Sequence, residues 1–194
     1  MDSRLYLITP ARERFAEVIE AAVRGGVDIV QLREKSMPDR ELLRALEEAR
    51  DVTRRLGVPF VVNDRADLAV LVEADYVHVG QEDLPVTAAR RFGLRVGQST
   101  HRSAELDRTD ADYVGVGPVF ATPTKEGRPG TGLEFVGYAA EHAKVPWFAI
   151  GGIDESNVHD VVAAGARRIA VVRAIGDAPD VERAAATLRA ALPD

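Results

Sequence analysis

Asp64 and Asp83 each stand just beyond a short apolar run, in Asn63-Asp64-Arg65 and in Gly80-Gln81-Glu82-Asp83. One or two carboxylates can hold a magnesium ion when substrate phosphates and water complete its octahedron of oxygens. An aspartate at such a place also caps helices, so Asp64 alone has two readings, cap or metal ligand. Lysine usage weighs towards the second. Lys35, Lys125 and Lys144 are the only lysines among 25 cationic side chains. Two of them follow apolar runs, in Gln31-Leu32-Arg33-Glu34-Lys35 and in Thr122-Pro123-Thr124-Lys125. A compact ammonium suits a crowded phosphate or metal site better than a planar guanidinium does. Carboxylates, lysines and Arg33 gathered on one rim would bind a diphosphate through Mg²⁺. Gly151-Gly152 is a separate signal, because bare glycines let backbone N–H groups approach a phosphate, although a tight turn uses the same pair.

The histidines are weaker candidates. His101, in Ser99-Thr100-His101, lies in no motif that names a catalytic partner for it and reads as a structural or substrate-orienting group before a general base. His142 and His159 fall on helical stretches. His78 lies inside an apolar run, from which its direction cannot be read.

These residues need elements to bring them together. Short apolar runs suited to buried parallel strands alternate with stretches of helical periodicity, the pattern of βα units. The strands are expected at Leu5–Thr9, Asp28–Arg33, Phe60–Asn63, Tyr76–Gly80, Arg95–Gln98, Tyr113–Gly117, Trp147–Gly151 and Ile169–Arg173. Helices are expected at about Arg14–Arg24, Asp39–Leu56, Ala66–Val72, Val86–Arg91, Ser103–Arg108, Leu133–His142, Ser156–Ala164 and Pro179–Leu192, the third and fourth being short. The second is clearest: Leu42, Leu43, Leu46, Ala49, Thr53 and Leu56 share one face. Gly25, Gly26, Gly57, Gly93 and Gly165 sit where left-handed C-caps are expected. Eight such units close into a (β/α)₈ TIM barrel, here one α/β domain over residues 1–194, compact beside the usual length of about 250 residues. The turn after the first strand, Thr9-Pro10-Ala11, carries no dinucleotide fingerprint. In a TIM barrel the C-terminal ends of the strands carry the active site, and every polar segment named above lies there.

Composition sets limits. With no cysteine the chain can form no disulfide, thiolate nucleophile or Cys-ligated metal centre. A net charge of −6, with cations spread along the chain, recommends neither nucleic acid nor an anionic membrane as partner. No apolar run approaches the roughly 20 residues of a membrane helix. The first residues lack a signal peptide's pattern, so the cytoplasm is the expected address.

With these segments in place, the chain resembles the thiamine-phosphate synthase family from Leu5 to about Ile175. The matching stretches are Tyr6-Leu7-Ile8-Thr9, Gln31-Leu32-Arg33-Glu34-Lys35, Asn63-Asp64-Arg65, Gly80-Gln81-Glu82-Asp83-Leu84, Ser99-Thr100-His101, Val116-Gly117-Pro118-Val119-Phe120, Thr122-Pro123-Thr124-Lys125 and Ala149-Ile150-Gly151-Gly152-Ile153. The resemblance implies condensation of a hydroxymethylpyrimidine diphosphate with a thiazole phosphate, giving thiamine phosphate and pyrophosphate. It implies that Gln31, Arg33, Lys35, Asn63, Ser99 and Lys125 bind the pyrimidine diphosphate, with Arg33, Lys35, Ser99 and Lys125 carrying catalysis. Asp64 and Asp83 would hold Mg²⁺. Thr122, Thr124, Gly152, Val172 and the residue after it would bind the thiazole phosphate. At that last position the resemblance implies a small hydroxyl residue, and Arg173 stands there instead. The implied partners are small molecules, and a homo-oligomer is compatible. The rivals are a thiazole tautomerase-like isomerase, a sugar-phosphate isomerase and a non-catalytic phosphate-binding barrel. The first would have no use for Lys35, Lys125, Asp64 and Asp83 together, the second would need an identifiable acid and base, and the third predicts erosion of the rim, of which Arg173 is the one sign.

Overall fold

Strands buried on both faces read as continuous apolar runs, because one side of the pleat meets a helix layer and the other the barrel interior. A computed structural model describes residues 1–121 and 130–193. The order is β1 (Leu5–Thr9), α1 (Phe15–Arg24), β2 (Ile29–Leu32), α2 (Asp39–Leu56), β3 (Phe60–Asn63), α3 (Ala66–Leu71), β4 (Tyr76–Val79) and α4 (Val86–Ala89). A 3₁₀ turn (Arg90–Phe92) follows, then β5 (Arg95–Thr100), α5 (Ser103–Arg108), β6 (Tyr113–Val116), α6 (Gly132–His142), β7 (Trp147–Ile150), α7 (Val158–Ala163), β8 (Ile169–Val171), α8 (Arg173–Gly176) and α9 (Val181–Ala191). The eight strands are parallel and close in sequence order, with Leu5 of β1 opposite Ile169 of β8. This is the (β/α)₈ barrel.

Alternation splits the core in two. Leu5, Leu7, Val30, Leu32, Val62, Val77 and Val114 face outwards and pack under the helices. Tyr6, Ile8, Ile29, Val61, Tyr76, Tyr113, Phe148 and Ala170 fill the interior. The Tyr113 ring takes the space opposite Gly97, where an added Cβ would lie 2.1 Å from Tyr113 Cζ. On α2, Leu42, Leu46, Ala49, Val52 and Thr53 are the buried residues, while Leu43 and Leu56 pack only partly against the core.

Three sequence expectations change. The eighth strand ends at Val171, and Arg173 opens the separate short helix α8. The fourth helix is four residues long and tightens into the 3₁₀ turn. Gly26, Gly57, Gly93 and Gly165 have positive φ, but Gly25 is right-handed at φ −78°. Its requirement is space: a Cβ there would lie 2.2 Å from the Glu182 carbonyl oxygen of α9.

At the N-terminal end of the barrel an aspartate just before a strand clamps the start of the preceding strand, and the device repeats. Asp28 accepts from the Leu5 amide at 2.9 Å, Asp75 from Phe60 at 2.9 Å and Asp112 from Val96 at 2.7 Å. Each aspartate's own amide donates back to the carbonyl of the same residue. At the equivalent place before β8 stands Arg168, whose guanidinium donates to the carbonyls of Ser3 and Met1.

Candidate functional site

β3 ends in Asn63, and the chain then makes two tight turns. The Arg65 amide donates to the Asn63 carbonyl at 2.7 Å and the Ala66 amide to that of Asp64 at 3.1 Å. Each closes a three-residue γ-turn, and Asp64, at the centre of the first, has φ +59°. Such a conformation is costly for a non-glycine residue and tends to persist where a side chain must be aimed. The cap reading of Asp64 fails, since the N-cap of α3 is Arg65, with no side-chain cap hydrogen bond there.

Asp64 Oδ2 lies 3.3 Å from Lys35 Nζ, so the loops after β2 and β3 meet. The loop after β4 brings in Asp83, whose Oδ2 accepts from the Gly80 amide at 2.8 Å. Burial first, and then the Asp83 carboxylate beside it, push the Asp64 carboxyl above its ordinary range, against the pull of Lys35. Two carboxylates held together in partial burial repel when both are ionised, and a divalent cation relieves that repulsion. Among the described residues no group of three or more His, Cys, Asp or Glu could hold a metal. Two hard oxygen donors, with a substrate and water to complete the shell, fit Mg²⁺. Beside them the Asn63 side-chain nitrogen is buried with no hydrogen-bond partner among the described residues, a donor left for a ligand.

A line of polar side chains that the sequence reading did not anticipate crosses the interior below this cluster. Gln31 Nε2 donates to Tyr6 Oη at 2.6 Å, Tyr6 Oη lies 2.9 Å from Tyr113 Oη, and Tyr113 Oη lies 3.0 Å from His78 Nδ1. His78 Nε2 is 3.0 Å from Ser99 Oγ. Burial raises the pKa of Tyr6 despite its hydrogen bonds with Tyr113 and Gln31, and burial beside Tyr6 raises that of Tyr113. Only Gln31 and Ser99 of this line were expected in the site. Tyrosines and a histidine inside otherwise apolar strands were the available signal. His101 lies outside the line: its Nδ1 contacts the Gly117 carbonyl, and its amide donates to Glu105 at 2.8 Å, which supports the structural reading.

Two cavities open at the same end of the barrel. One, of about 430 Å³, is lined by Pro118, Ile150, Gly151, Gly152, Val172 and Arg173 among others. The second, of about 510 Å³, is lined by Thr9, Arg12, Arg33, Lys35, Val172 and Arg173 among others. Val172 and Arg173 therefore form a wall common to both. Gly152 has φ +68°, and a Cβ there would lie 2.7 Å from Phe120 Cβ, so the glycine is required on both counts. Thr122, Thr124 and Lys125 lie outside the described residues. Among the expected site residues that are described, Gln31, Ser99 and Asn63 face the interior, Lys35, Asp64 and Asp83 sit on the rim, Arg33 and Lys35 share one cavity with Val172 and Arg173, and Gly152 lines the other.

The family model for thiamine monophosphate synthase matches residues 5–175, nearly all of the barrel. The chain belongs to that family. It is 52% identical over 190 residues to the thiamine-phosphate synthase of Gloeobacter violaceus, covering 95% of this chain and 56% of that protein. It is 51% identical over 200 residues to that of Thermus thermophilus, covering 97% of each. The chain thus spans about half the length of several curated relatives and nearly all of others. Among solved structures, thiamine phosphate pyrophosphorylase from Pyrococcus furiosus superposes with a TM-score of 0.88 at 36% identity, covering 97% of this chain and 94% of that one. A 3-hexulose-6-phosphate synthase superposes at a TM-score of 0.72 and 22% identity, which shows the barrel alone. Among the described residues no helix is long and apolar enough to cross a membrane.

Proposed function

We propose that the protein joins 4-amino-2-methyl-5-hydroxymethylpyrimidine diphosphate to 4-methyl-5-hydroxyethylthiazole phosphate, giving thiamine phosphate and pyrophosphate. The observation that carries this reading is the pair of cavities with a common wall. One borders the cationic side chains Arg33 and Lys35, the second of which pairs with Asp64, and the other is built on the Gly151-Gly152 backbone. An enzyme that handles a diphosphate and a monophosphate in one turnover needs two such sites in contact.

On this reading Asp64 and Asp83 hold Mg²⁺, which when bound supplies charge neutralisation for the diphosphate. Arg33, Lys35 and Lys125 share that task. Gln31, Asn63 and Ser99 orient the pyrimidine diphosphate. Thr122, Thr124, Gly152, Val172 and Arg173 receive the thiazole phosphate. The bond that breaks joins the pyrimidine CH₂ to the diphosphate oxygen, and its electron pair leaves with the oxygen. The bond that forms takes the lone pair of the thiazole nitrogen, so no proton need move and no general base is required. The electron-rich pyrimidine stabilises a cation at the CH₂, and catalysis reduces to positioning and electrostatic support of the leaving group. The same reading makes residues 1–194 one catalytic domain working on small molecules in the cytoplasm, with a homo-oligomer compatible.

The test is to incubate the purified protein with both substrates and Mg²⁺ and to quantify thiamine phosphate and pyrophosphate chromatographically. Equal amounts of the two are expected, and no product with or without the metal would overturn the reading.

A further inference from the structure

The interior line from Gln31 to Ser99 has a direction. An amide nitrogen donates only, so the Gln31 Nε2–H occupies a lone pair of the Tyr6 oxygen. Tyr6 has one proton of its own; either oxygen of the 2.9 Å Tyr6–Tyr113 pair could donate, and a line polarised outwards from Gln31 places the Tyr6 proton on the Tyr113 oxygen. Tyr113 likewise has one proton to place, and its remaining neighbour in the line is His78 Nδ1. A ring nitrogen that accepts belongs to the neutral tautomer protonated on the other nitrogen, so in a line of that polarity His78 Nε2–H would donate to Ser99 Oγ. Both phenols lie fully within the barrel and keep their protons, so each link stays intact. Ser99 would then receive a hydrogen bond from inside the barrel and have its own O–H left to give. Its carbonyl is tied to Gln81 Nε2 at 2.7 Å, which fixes the end of β5.

We propose that His78 is a positioning residue, the last link of a directional chain through Gln31, Tyr6 and Tyr113 that presents the Ser99 hydroxyl as a donor to an anionic oxygen at the barrel mouth. This deepens the reading above, in which Ser99 meets the diphosphate, and rests on it. The polarity matters because the opposite one would turn the Ser99 proton towards His78 and leave only lone pairs facing phosphate oxygens.

The test has two arms. Nitrogen-15 NMR of the ligand-free protein reads the His78 ring directly: a protonated Nε2 with a bare Nδ1 is expected, and the opposite tautomer or an imidazolium would overturn the proposal. This arm needs neither activity nor a folded variant, so it decides the matter even if the protein makes no thiamine phosphate, a result that would count against the proposed function alone. The second arm is kinetic. Gln places an amide N–H near the position of Nε2, whereas Asn is too short to reach Ser99. His78→Asn should lower kcat/KM for the pyrimidine diphosphate by about 10- to 100-fold, the range for a lost hydrogen bond that supports a charged ligand. His78→Gln should recover most of that loss, and in a Ser99→Ala background His78→Asn should cost little more. Equal losses in the Asn and Gln variants, or an additive loss beside Ser99→Ala, would make His78 a packing residue only.

Discussion

Gly97→Ala is the most demanding perturbation the barrel interior offers. The new Cβ would lie 2.1, 2.3 and 2.5 Å from Cζ, Cε1 and Oη of Tyr113, where ordinary contact begins at 3.4 Å. The ring must therefore retreat by more than an ångström. It has nowhere to go, because Tyr76 and His78 stand 5.5 Å away, Phe148 5.8 Å and Tyr6 6.1 Å between ring centroids. Overpacking of this kind costs about 1–3 kcal/mol. Moving the ring also breaks the buried bonds of Tyr113 Oη to Tyr6 and His78, at about 1–3 kcal/mol for each group left unsatisfied. Together the loss should be about 3–9 kcal/mol, which at about 2–4 °C per kcal/mol for a chain of this size lowers Tm by roughly 6–36 °C. Urea unfolding and thermal melting followed by circular dichroism would measure it. A loss below about 1 kcal/mol would refute the reasoning, since it would mean that the interior can relax around a methyl group. In a Tyr113→Leu background Gly97→Ala should cost little more, because the conflicting ring is gone.

Asp64→Asn should raise the Tm of the metal-free protein at neutral pH, measured by calorimetry across pH. Burial and the Asp83 carboxylate lift the native pKa of Asp64 above its ordinary 3.8, so the folded state holds that proton more tightly than the unfolded chain. Its favourable contribution is complete below the unfolded value and is lost as pH rises through the native one, so the variant's advantage should shrink as pH falls towards 4. The variant should also lose the stabilisation that Mg²⁺ confers on the parent. Asp83→Ala should abolish most turnover while leaving the circular dichroism spectrum unchanged, and near-normal turnover would remove the metal assignment. Arg173→Ala should raise KM for the thiazole phosphate about tenfold with kcat little altered, and an unchanged KM would assign that phosphate to the backbone around Gly152 and Val172.

Most of the barrel was legible in the sequence, because each strand is an apolar run of the right length and each helix has its own periodicity. What those runs conceal is direction and extent. A strand buried on both faces shows no alternation, so nothing in Tyr76-Val77-His78-Val79 says that His78 faces the interior between Tyr113 and Ser99. For the same reason the run from Ile169 to Arg173 conceals the point where β8 stops and α8 starts. The rim was easier to read, since Lys35, Asp64 and Asp83 are polar residues placed just after apolar ones. The positive φ of Asp64 was not legible: it depends on hydrogen bonds that form only once β3 and β4 are paired, among them the bond from the Asp64 amide to the His78 carbonyl.

The aspartate clamps at the foot of the barrel also bear on where the molecule breathes. They tie β1 to β2, β3 to β4 and β5 to β6 by reciprocal pairs of hydrogen bonds, whereas β7 and β8 meet over two register pairs with Arg168 turned towards the Ser3 carbonyl instead. Local opening concentrates where reinforcement is least. Amide hydrogen exchange should accordingly be fastest, among the strand pairs, at β7–β8, the staves that carry Gly151, Gly152, Val172 and Arg173. Ligand entry and product escape would then draw on a built-in weakness in the wall of the cavity around Gly152, and a clamp introduced by Arg168→Asp would slow both while making the barrel more rigid.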